Sequence, residues 1–379
     1  MMINESVVSM PFQIIQGNIL HYRCDAIVNP TDEFFSGSGG LDEQVHLVAG
    51  PELYKECAAL GRLEIGQAAL TKAYRLGCRK IIHTVAPWWS GREVELELLR
   101  ECYRSSLRLA LDEGLTELAF PLIGSGTRAF PKETVLEIAA EEIRVFLSAH
   151  DDFRILLVVH DRSEFQPSRT LLQGLDRYRQ TLRVEESCYE TDASVPLPTP
   201  MVSAPTQPKD GERNDRMVFA SRKPDLRKSR RVKLPLFSRP QAKAPEAAPA
   251  PCEMPELTFS TERIVMDESF SEMVMRKIDE RGFKKDSECY VRANIDRRLF
   301  SKIRSDQSYH PKKTTAVALA VALELTLDDT KELLEKAGYS LSHSILFDVI
   351  VEYCILQKNY DIFQINELLF QYDQPLLGG

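Results

Sequence analysis

Several features that would assign a chain to a familiar class of proteins are absent from this sequence. Its eight cysteines are scattered, with no CxxC pair and no Cys/His cluster at zinc-ligand spacing. We therefore interpret them as reduced structural thiols, and we expect no metal and no cofactor. No apolar run approaches the ~18–20 residues that span a bilayer, and the amino terminus lacks a basic segment followed by an apolar core. A cytoplasmic protein without membrane contact is expected.

An excess of positive charge is also missing. The 379 residues include 48 Lys and Arg against 56 Asp and Glu, which gives a formal net charge of −8. A protein that coats nucleic acid needs the opposite balance, so any basic surface must be local. The length exceeds that of one ordinary core and predicts two domains with connecting material.

The first half of the chain alternates between two hydrophobic periods. Strands are predicted at residues 12–15, 25–29, 80–85, 118–123 and 154–160, and helices at 93–112, 131–148 and 168–180. Strands that alternate with helices predict an α/β domain, residues 1–182, with a central and mostly parallel sheet. Ligands bind such sheets beyond the carboxyl ends of the strands.

Two glycine-rich loops follow predicted strands. The first, NPTDEFFSGSGGLD from Asn29 to Asp42, has three glycines in four residues and then an acid. The second, AFPLIGSGTRAFP from Ala119 to Pro131, runs into a helix. Glycines let the backbone approach a ligand closely, so that successive N–H groups converge on an anion. Two such loops at one sheet edge predict a site for a diphosphate.

Together with His83-Thr84-Val85-Ala86-Pro87 at the end of a further strand, these loops resemble the macrodomain, the ADP-ribose-binding fold, over residues 10–180. The resemblance implies a three-layer sandwich with a mixed, mostly parallel sheet. It assigns the distal ribose to Asn29, and to Asp42 the role of general base or water-orienting group. A second family Asn falls on Asp32, which places another carboxylate at the candidate catalytic site. The family's adenine-recognising acid is replaced by Asn18, whose amide can still accept a hydrogen bond from adenine.

The remaining ligand-binding residues implied by the resemblance lie beside Asn18 and in the two loops. They are Ile19, Ser38, Gly39, Gly40, Leu41, Gly124, Ser125, Gly126, Thr127, Arg128 and Phe130.

Several of these residues also have ordinary structural interpretations. Asp42 could cap a helix that begins at Glu43, and Asp32 could be a turn residue without a part in the chemistry. Arg128 is either a phosphate contact or a solvated charge. His46 and His83 are expected to be core or supporting residues rather than acid–base groups.

A Pro-rich, partly basic and disordered linker is predicted at residues 183–262. An all-α domain follows at 263–379, and over about 268–340 it resembles the Cro/repressor-like helix-turn-helix domains. The resemblance implies that the helix 296–306 inserts into the major groove of DNA. Its outward residues are Arg297, Arg298, Ser301, Lys302 and Arg304. DNA binding by a homodimer and docking of a protein partner both remain open.

Two functional hypotheses result from these observations. The first is an enzyme that hydrolyses ADP-ribosyl adducts of protein or nucleic acid, or acyl esters of ADP-ribose, with Asp42 and Asp32 orienting water. The second is a non-catalytic ADP-ribose sensor that regulates DNA or partner binding through the helical domain.

Overall fold

A six-stranded sheet forms the centre of the amino-terminal half of the computed structural model, which describes residues 10–162, 165–192 and 267–378. The strands are β1 (Phe12–Gln16), β2 (Ala26–Pro30), β3 (Ala68–Lys72), β4 (Lys80–Thr84), β5 (Glu117–Pro121) and β6 (Arg154–Val159). Their order is β1-β6-β5-β2-β4-β3. All neighbours are parallel except β3, which pairs antiparallel with β4 at one edge. The prediction of a mixed, mostly parallel sheet is confirmed.

Helices cover both faces of this sheet. They are α1 (Gly40–Ala49), α2 (Pro51–Leu60), α3 (Glu93–Asp112), α4 (Lys132–Ala149) and α5 (Arg169–Asp192). Alternate side chains of β2 enter opposite cores: Ile27 packs with Val45 and Leu53 of α1 and α2, and Val28 packs with Leu99 of α3. This alternation gives the three layers that were expected. We call residues 10–192 the α/β region.

The hydrophobic periods of the sequence did not predict β3, α1 or α2 of the α/β region. Strand β3 reads AALTK, which has few β-branched residues and no clear alternation. Helices α1 and α2 follow glycines with positive φ, and their short amphipathic patterns lie between turns. Helix α5 runs to Asp192, beyond the expected domain end at residue 182. Most of the predicted linker, including its basic stretch, lies outside the described residues.

The carboxyl-terminal part, residues 267–378, is helical as expected, and we call it the helical region. It consists of α6 (Phe270–Arg281), α7 (Asp286–Arg292), α8 (Arg297–Ser305), α9 (Lys313–Ala322), α10 (Leu327–Lys336), α11 (Leu346–Leu356) and α12 (Ile362–Gln371). Gly282 ends α6 in the left-handed conformation, and the Asp296 side chain accepts a hydrogen bond from Leu299 N at 2.6 Å. Both helix ends have residue types that such positions favour.

The helical region packs against the α/β region, and the two form one compact unit. Asn294, in the turn between α7 and α8, accepts from the backbone N–H of Phe12 at 3.0 Å and donates to its carbonyl at 2.9 Å. The Phe12 ring lies 4.8 Å from that of Phe363, and Phe165 lies 4.7 Å from Phe370. Since β1 is an edge strand, its outer backbone groups need partners, and the Asn294 amide supplies them as a neighbouring strand would. The two regions share one hydrophobic core.

A buried carboxyl group makes the stability of this assembly sensitive to pH. Burial of Glu367 on α12, with Asp361 and Glu137 nearby, raises its pKa from 4.5 to about 8. The folded state is therefore favoured while Glu367 is protonated. That contribution is complete below pH 4.5 and is lost as the pH rises through about 8.

We expect the free energy of unfolding to fall by roughly 2 to 3 kcal/mol between pH 6 and pH 9 because of this group. Glu367→Gln should remove most of the decrease, whereas Glu335→Gln, which alters an exposed acid of α10, should leave it. Urea unfolding at both pH values measures the effect. An equally steep decrease in Glu367→Gln would assign the pH dependence to other groups.

Candidate functional site

A cavity of about 710 Å³ opens at the carboxyl ends of β1, β2, β4, β5 and β6. Of the residues predicted from the sequence, those on its surface are Asn18, Ile19, Asp32, Ser38, Gly39, Gly40, Leu41, Asp42, Gly124, Ser125, Gly126, Thr127 and Arg128. Residues that are more than 100 positions apart in the chain thus meet in one cleft. The strand-end rule for α/β sheets predicted this location.

The first loop, residues 31–42, ends at the amino terminus of α1. Gly39 and Gly40 have φ angles of +80° and +59°, and the helix has no side-chain cap. Among the described residues, none accepts from the backbone N–H groups of Gly39, Gly40, Leu41 and Asp42. Unpaired N–H groups at a helix amino terminus attract anions. The first loop therefore presents an anion site to the cavity.

The second loop, residues 122–130, faces the first across the cleft. Gly124 adopts a φ of +91°, and its carbonyl accepts from Phe130 N at 3.2 Å, which closes the turn. The backbone N–H groups of Gly126, Thr127 and Arg128 have no acceptor within the described part of the chain. They form a second group of donors at the same cavity.

Phe130 itself lies behind the second loop. It is buried, packs 4.9 Å from the Trp89 ring, and is not part of the cavity surface. The predicted contact between Phe130 and the ligand is absent, because the turn at Gly124 directs the Phe130 ring into the core. Phe130 holds the shape of the loop instead.

Arg128 places a positive charge over the cleft. Its guanidinium lies 4.7 Å from the centroid of the Trp88 ring and 3.5 Å from the Thr31 carbonyl oxygen. No acidic side chain of the described residues forms an ion pair with it. Trp88 is 62% exposed and lines the cavity, whereas Trp89 fills the seam against Phe130. A cation without a protein counter-ion adds to the attraction for an anionic ligand.

Asp42 lies in the first turn of α1, which begins at Gly40, so it is not the cap of a helix that begins at Glu43. One carboxylate oxygen accepts from Asn29 Nδ2 at 2.7 Å. The other accepts from Thr31 Oγ1 at 2.9 Å and from Gly37 N at 3.1 Å. A carboxylate has about four acceptor positions, so these three bonds leave one for a ligand or a water molecule. Burial raises the pKa of Asp42 despite these bonds.

Asn29 and His83 lie beneath Asp42, away from the cavity surface. Asn29 Nδ2 also contacts His83 Nδ1 at 3.2 Å, and His83 Nε2 lies 2.9 Å from Thr71 Oγ1. Burial lowers the pKa of His83 to about 3, so the ring is neutral at physiological pH. Asn29 and His83 hold Asp42 in place and contact no open space.

His46 is fully buried on α1, one turn after Asp42. Its Nε2 lies 3.6 Å from an Asp42 oxygen, and its ring packs 4.2 Å from that of Tyr54. Burial lowers the pKa of His46, so the histidine beside Asp42 is neutral as well. The expectation of a supporting role fits this position.

Asp32 organises the first loop. It accepts from the backbone N–H groups of Phe34 at 2.8 Å and Ser36 at 3.2 Å, and from the hydroxyl groups of Ser36 and Ser38. Partial burial raises the pKa of Asp32, but the hydrogen bonds from Ser36, Phe34 and Ser38 outweigh it, and the net pKa lies below the ordinary value. This geometry is that of a turn residue whose acceptors are occupied within the loop.

The far end of the cleft lies between β1 and β6. Asn18 caps the short 3₁₀ turn Ile19–His21 by accepting from Leu20 N at 3.0 Å, and Ile19 contributes an apolar surface. Val158, Val159 and His160 at the end of β6 complete this end. The sequence did not predict these three residues as part of the site. It also did not predict Phe34 and Ile65, which line the opposite end of the cavity. The strand-end rule that identified Asn29 and Gly124 also applies to His160.

The basic residues of α8 are separate from this cavity. All five predicted outward residues, Arg297, Arg298, Ser301, Lys302 and Arg304, are exposed. Arg304 pairs with Asp286, and Lys302 lies 5.1 Å from the Tyr309 ring centroid.

Comparison with known proteins gives a consistent assignment for the α/β region. The profile of the family described as Macro domain matches residues 28–139. A macro domain-containing protein of Methanosarcina mazei is 42% identical over 140 residues, which are 37% of this chain and 75% of the relative. An O-acetyl-ADP-ribose deacetylase of Salmonella gallinarum is 38% identical over 143 residues, 36% of this chain and 80% of that protein.

One of the solved structures to which the chain is similar is the Oceanobacillus iheyensis macrodomain with MES bound. That protein is 31% identical, with a TM-score of 0.40 and coverage of 41% of this chain and 86% of the other. The residues that the Macro domain profile matches lie within the α/β region.

Proposed function

Because this chain belongs to the macro domain family, we propose that it binds ADP-ribose in the cavity and hydrolyses acyl esters or related adducts of ADP-ribose. The observation that carries the proposal is the convergence of three features at one cleft. They are two groups of backbone N–H donors and the cation Arg128, all without a partner among the described residues, and the buried carboxylate Asp42.

The cleft has the length of a dinucleotide-like ligand. Asn18 and His160 follow β1 and β6, whereas Asp42 lies beyond the end of β2. In the order β1-β6-β5-β2 the ends of β1 and β2 are three strand spacings apart, about 14 Å. The apolar end at Ile19 and Val158 suits adenine, and the Asp42 end suits the distal ribose.

Between these ends the cleft suits a diphosphate. The N–H groups of Gly39–Asp42 approach from one side and those of Gly126–Arg128 from the other, with the Arg128 charge above them. Backbone donors at a helix amino terminus and in a tight loop favour phosphate oxygens.

Asn18 departs from the family's acid at the adenine position. Its Oδ1 is engaged with Leu20 N but retains a second lone pair, and its Nδ2 can donate to a ring nitrogen. Both contacts are compatible with adenine, so this substitution is consistent with the proposed ligand.

Asp42 supplies the base for hydrolysis. Water attacks the acyl carbon of an ester on the distal ribose while Asp42 takes one water proton. The ester C–O bond then breaks, and the proton passes to the ribose oxygen that leaves. The donors around the diphosphate fix the substrate so that the attack is effectively intramolecular. The relatives named O-acetyl-ADP-ribose deacetylase support an ester as substrate.

The test is turnover of O-acetyl-ADP-ribose by the full chain, with release of ADP-ribose followed by ion-exchange chromatography. Release above the uncatalysed rate is expected. Saturable ADP-ribose binding without turnover of an ester, an ADP-ribosylated protein or an ADP-ribosylated nucleic acid would contradict the enzyme and favour the sensor.

A second candidate function is DNA binding through α8. The observation that favours it is the exposure of all five predicted polar side chains on this helix, which follows the turn at Asn294. The acidic residues Asp286 and Asp151 lie nearby, and Asp286 neutralises Arg304. Two copies of the chain would double the number of contacts to DNA, so we expect appreciable affinity from a dimer.

The variant Arg298→Ala tests DNA binding through α8. A loss of roughly 1 to 3 kcal/mol in binding to one selected sequence is expected if Arg298 reads a base, and a uniform loss with a salt dependence lower by about one charge if it contacts phosphate. Arg108→Ala, an exposed arginine of α3, is the matched control. Absence of salt-dependent DNA binding by the full chain in a gel-shift titration would reject DNA as the partner and favour a protein-docking surface.

A further inference from the structure

We propose that the mouth of the cavity beside Asp42 is an apolar subsite that selects ADP-ribose esters whose acyl group is larger than acetyl. This inference rests on the proposed function and names the substrate class of the same site. The residues that form the subsite are Phe34, Ile65 and Trp88.

These three side chains are large and apolar, and all are exposed to solvent. Phe34 is 68% exposed, Trp88 62% and Ile65 37%, and all three line the same cavity. A single exposed apolar side chain needs no explanation, since much of any protein surface is apolar. Three of them on the surface of one cavity give that cavity an apolar part, which suits an apolar group of a ligand.

The first loop holds Phe34 in this exposed position. Asp32 accepts from the backbone N–H groups of Phe34 and Ser36, which fixes the turn. Phe35 takes a φ of +54° and turns into the core, where its ring meets that of His83 edge-on at 5.4 Å. A non-glycine residue at positive φ is uncommon and persists only where its surroundings impose it. Of two adjacent phenylalanines, one is therefore fully buried and the other is kept at the mouth.

The subsite begins where ADP-ribose would end. The proposed ligand runs from β1 to the end of β2, where Asp42 lies. Trp88 follows β4 and Ile65 precedes β3, and these strands are the next two beyond β2 in the sheet. The space on that side is adjacent to the distal ribose but is not needed for the nucleotide. A group attached to the distal ribose would enter it.

The acidic side chains around the subsite are already engaged within the protein. Glu33 is paired with Arg62 at 2.7 Å, and the acceptors of Asp32 are used within the loop. The Arg128 guanidinium faces the Trp88 ring and the diphosphate position. An acyl chain or an aromatic acyl group would bury the exposed faces of Phe34, Ile65 and Trp88, and each fully buried methylene favours binding by about fourfold.

The experiment compares kcat/KM of the full chain for acetyl, butyryl and octanoyl esters of ADP-ribose. With only part of the chain buried, we expect kcat/KM to be about tenfold higher for the octanoyl ester than for the acetyl ester. Phe34→Ser should reduce that ratio towards one. Leu47→Ser removes an exposed leucine of α1 that does not line the cavity, and it should keep the wild-type ratio.

The outcomes separate this inference from the proposed function. Hydrolysis of the acetyl ester with equal efficiency for all chain lengths would overturn the subsite and leave the function intact. If ADP-ribose binds but no ester is hydrolysed, the proposed hydrolase function is rejected. The subsite is then tested by measuring how well each ester displaces ADP-ribose. Tighter displacement of ADP-ribose by the octanoyl than by the acetyl ester supports it, and equal displacement overturns it. A wild-type ratio in Phe34→Ser would also overturn it.

Discussion

Replacement of Asp42 by Asn is expected to reduce hydrolysis of O-acetyl-ADP-ribose at least about 100-fold, because an amide cannot take the water proton. The affinity for ADP-ribose should change little, since the new side chain keeps the volume of the old one. Its Nδ2 would meet Asn29, whose own amide can rotate to present the oxygen that has no partner among the described residues. Turnover measures the first effect and calorimetry the second.

The pH profile identifies the group more specifically. Burial raises the pKa of Asp42, and a base acts in its deprotonated form. The wild-type rate should therefore fall as the pH drops through an apparent pKa above the ordinary carboxyl value of 3.8, and Asp42→Asn should lack this acid limb.

Glu43→Gln is the matched control, because it neutralises an exposed carboxylate one residue away that does not line the cavity. Asp32→Asn should retain activity, since one amide oxygen can still accept from Phe34 N and Ser36 N. Wild-type turnover by Asp42→Asn would exclude Asp42 as the base, and loss of turnover in Asp32→Asn would transfer that role to the other acid.

The second large effect is expected from Gly126→Glu, which should weaken ADP-ribose binding at least about 100-fold, since like charges brought together cost several kcal/mol. A Cβ at Gly126 meets no atom within 4 Å, and its φ is not positive, so the fold should tolerate the change. The new carboxylate would enter the place where the diphosphate is proposed. Gly40→Glu should act in the same way from the opposite loop, with added backbone strain from its φ of +59°.

Each variant has a control of matched backbone geometry. Gly77→Glu tests a glycine without positive φ, and Gly114→Glu tests one with a φ of +64° and open space around it; neither lines the cavity. Melting temperatures monitor the fold of all four proteins. Wild-type affinity in a folded Gly126→Glu protein would show that the second loop does not contact the ligand.

The parts of the structure that the sequence predicted are those with local signals. The strands before Asn29 and Gly124 are short apolar runs that end in polar or glycine-rich turns, and parallel strands bring such ends to one edge of a sheet. Asp42 could be placed at the site for the same reason. Its hydrogen bonds to Asn29, Thr31 and Gly37 depend on side-chain positions for which the sequence carries no local signal.

The parts that the sequence did not predict depend on contacts between distant residues. Asn294 pairs with Phe12 across 282 positions, and a turn residue gives no local sign that it will cover the edge of a sheet. Phe34 and Phe35 are the same residue type in adjacent positions, and only the turn held by Asp32 decides which of them is buried. In β3, weak β-propensity is overridden by pairing with β4.

The central claim, that this cavity is an ADP-ribose site, is tested most directly by calorimetric titration of ADP-ribose into the full chain. The account predicts saturable one-to-one binding that is lost in Gly126→Glu and preserved in Gly77→Glu. No saturable binding by a folded wild-type protein, or equal binding by Gly126→Glu and Gly77→Glu, would contradict it.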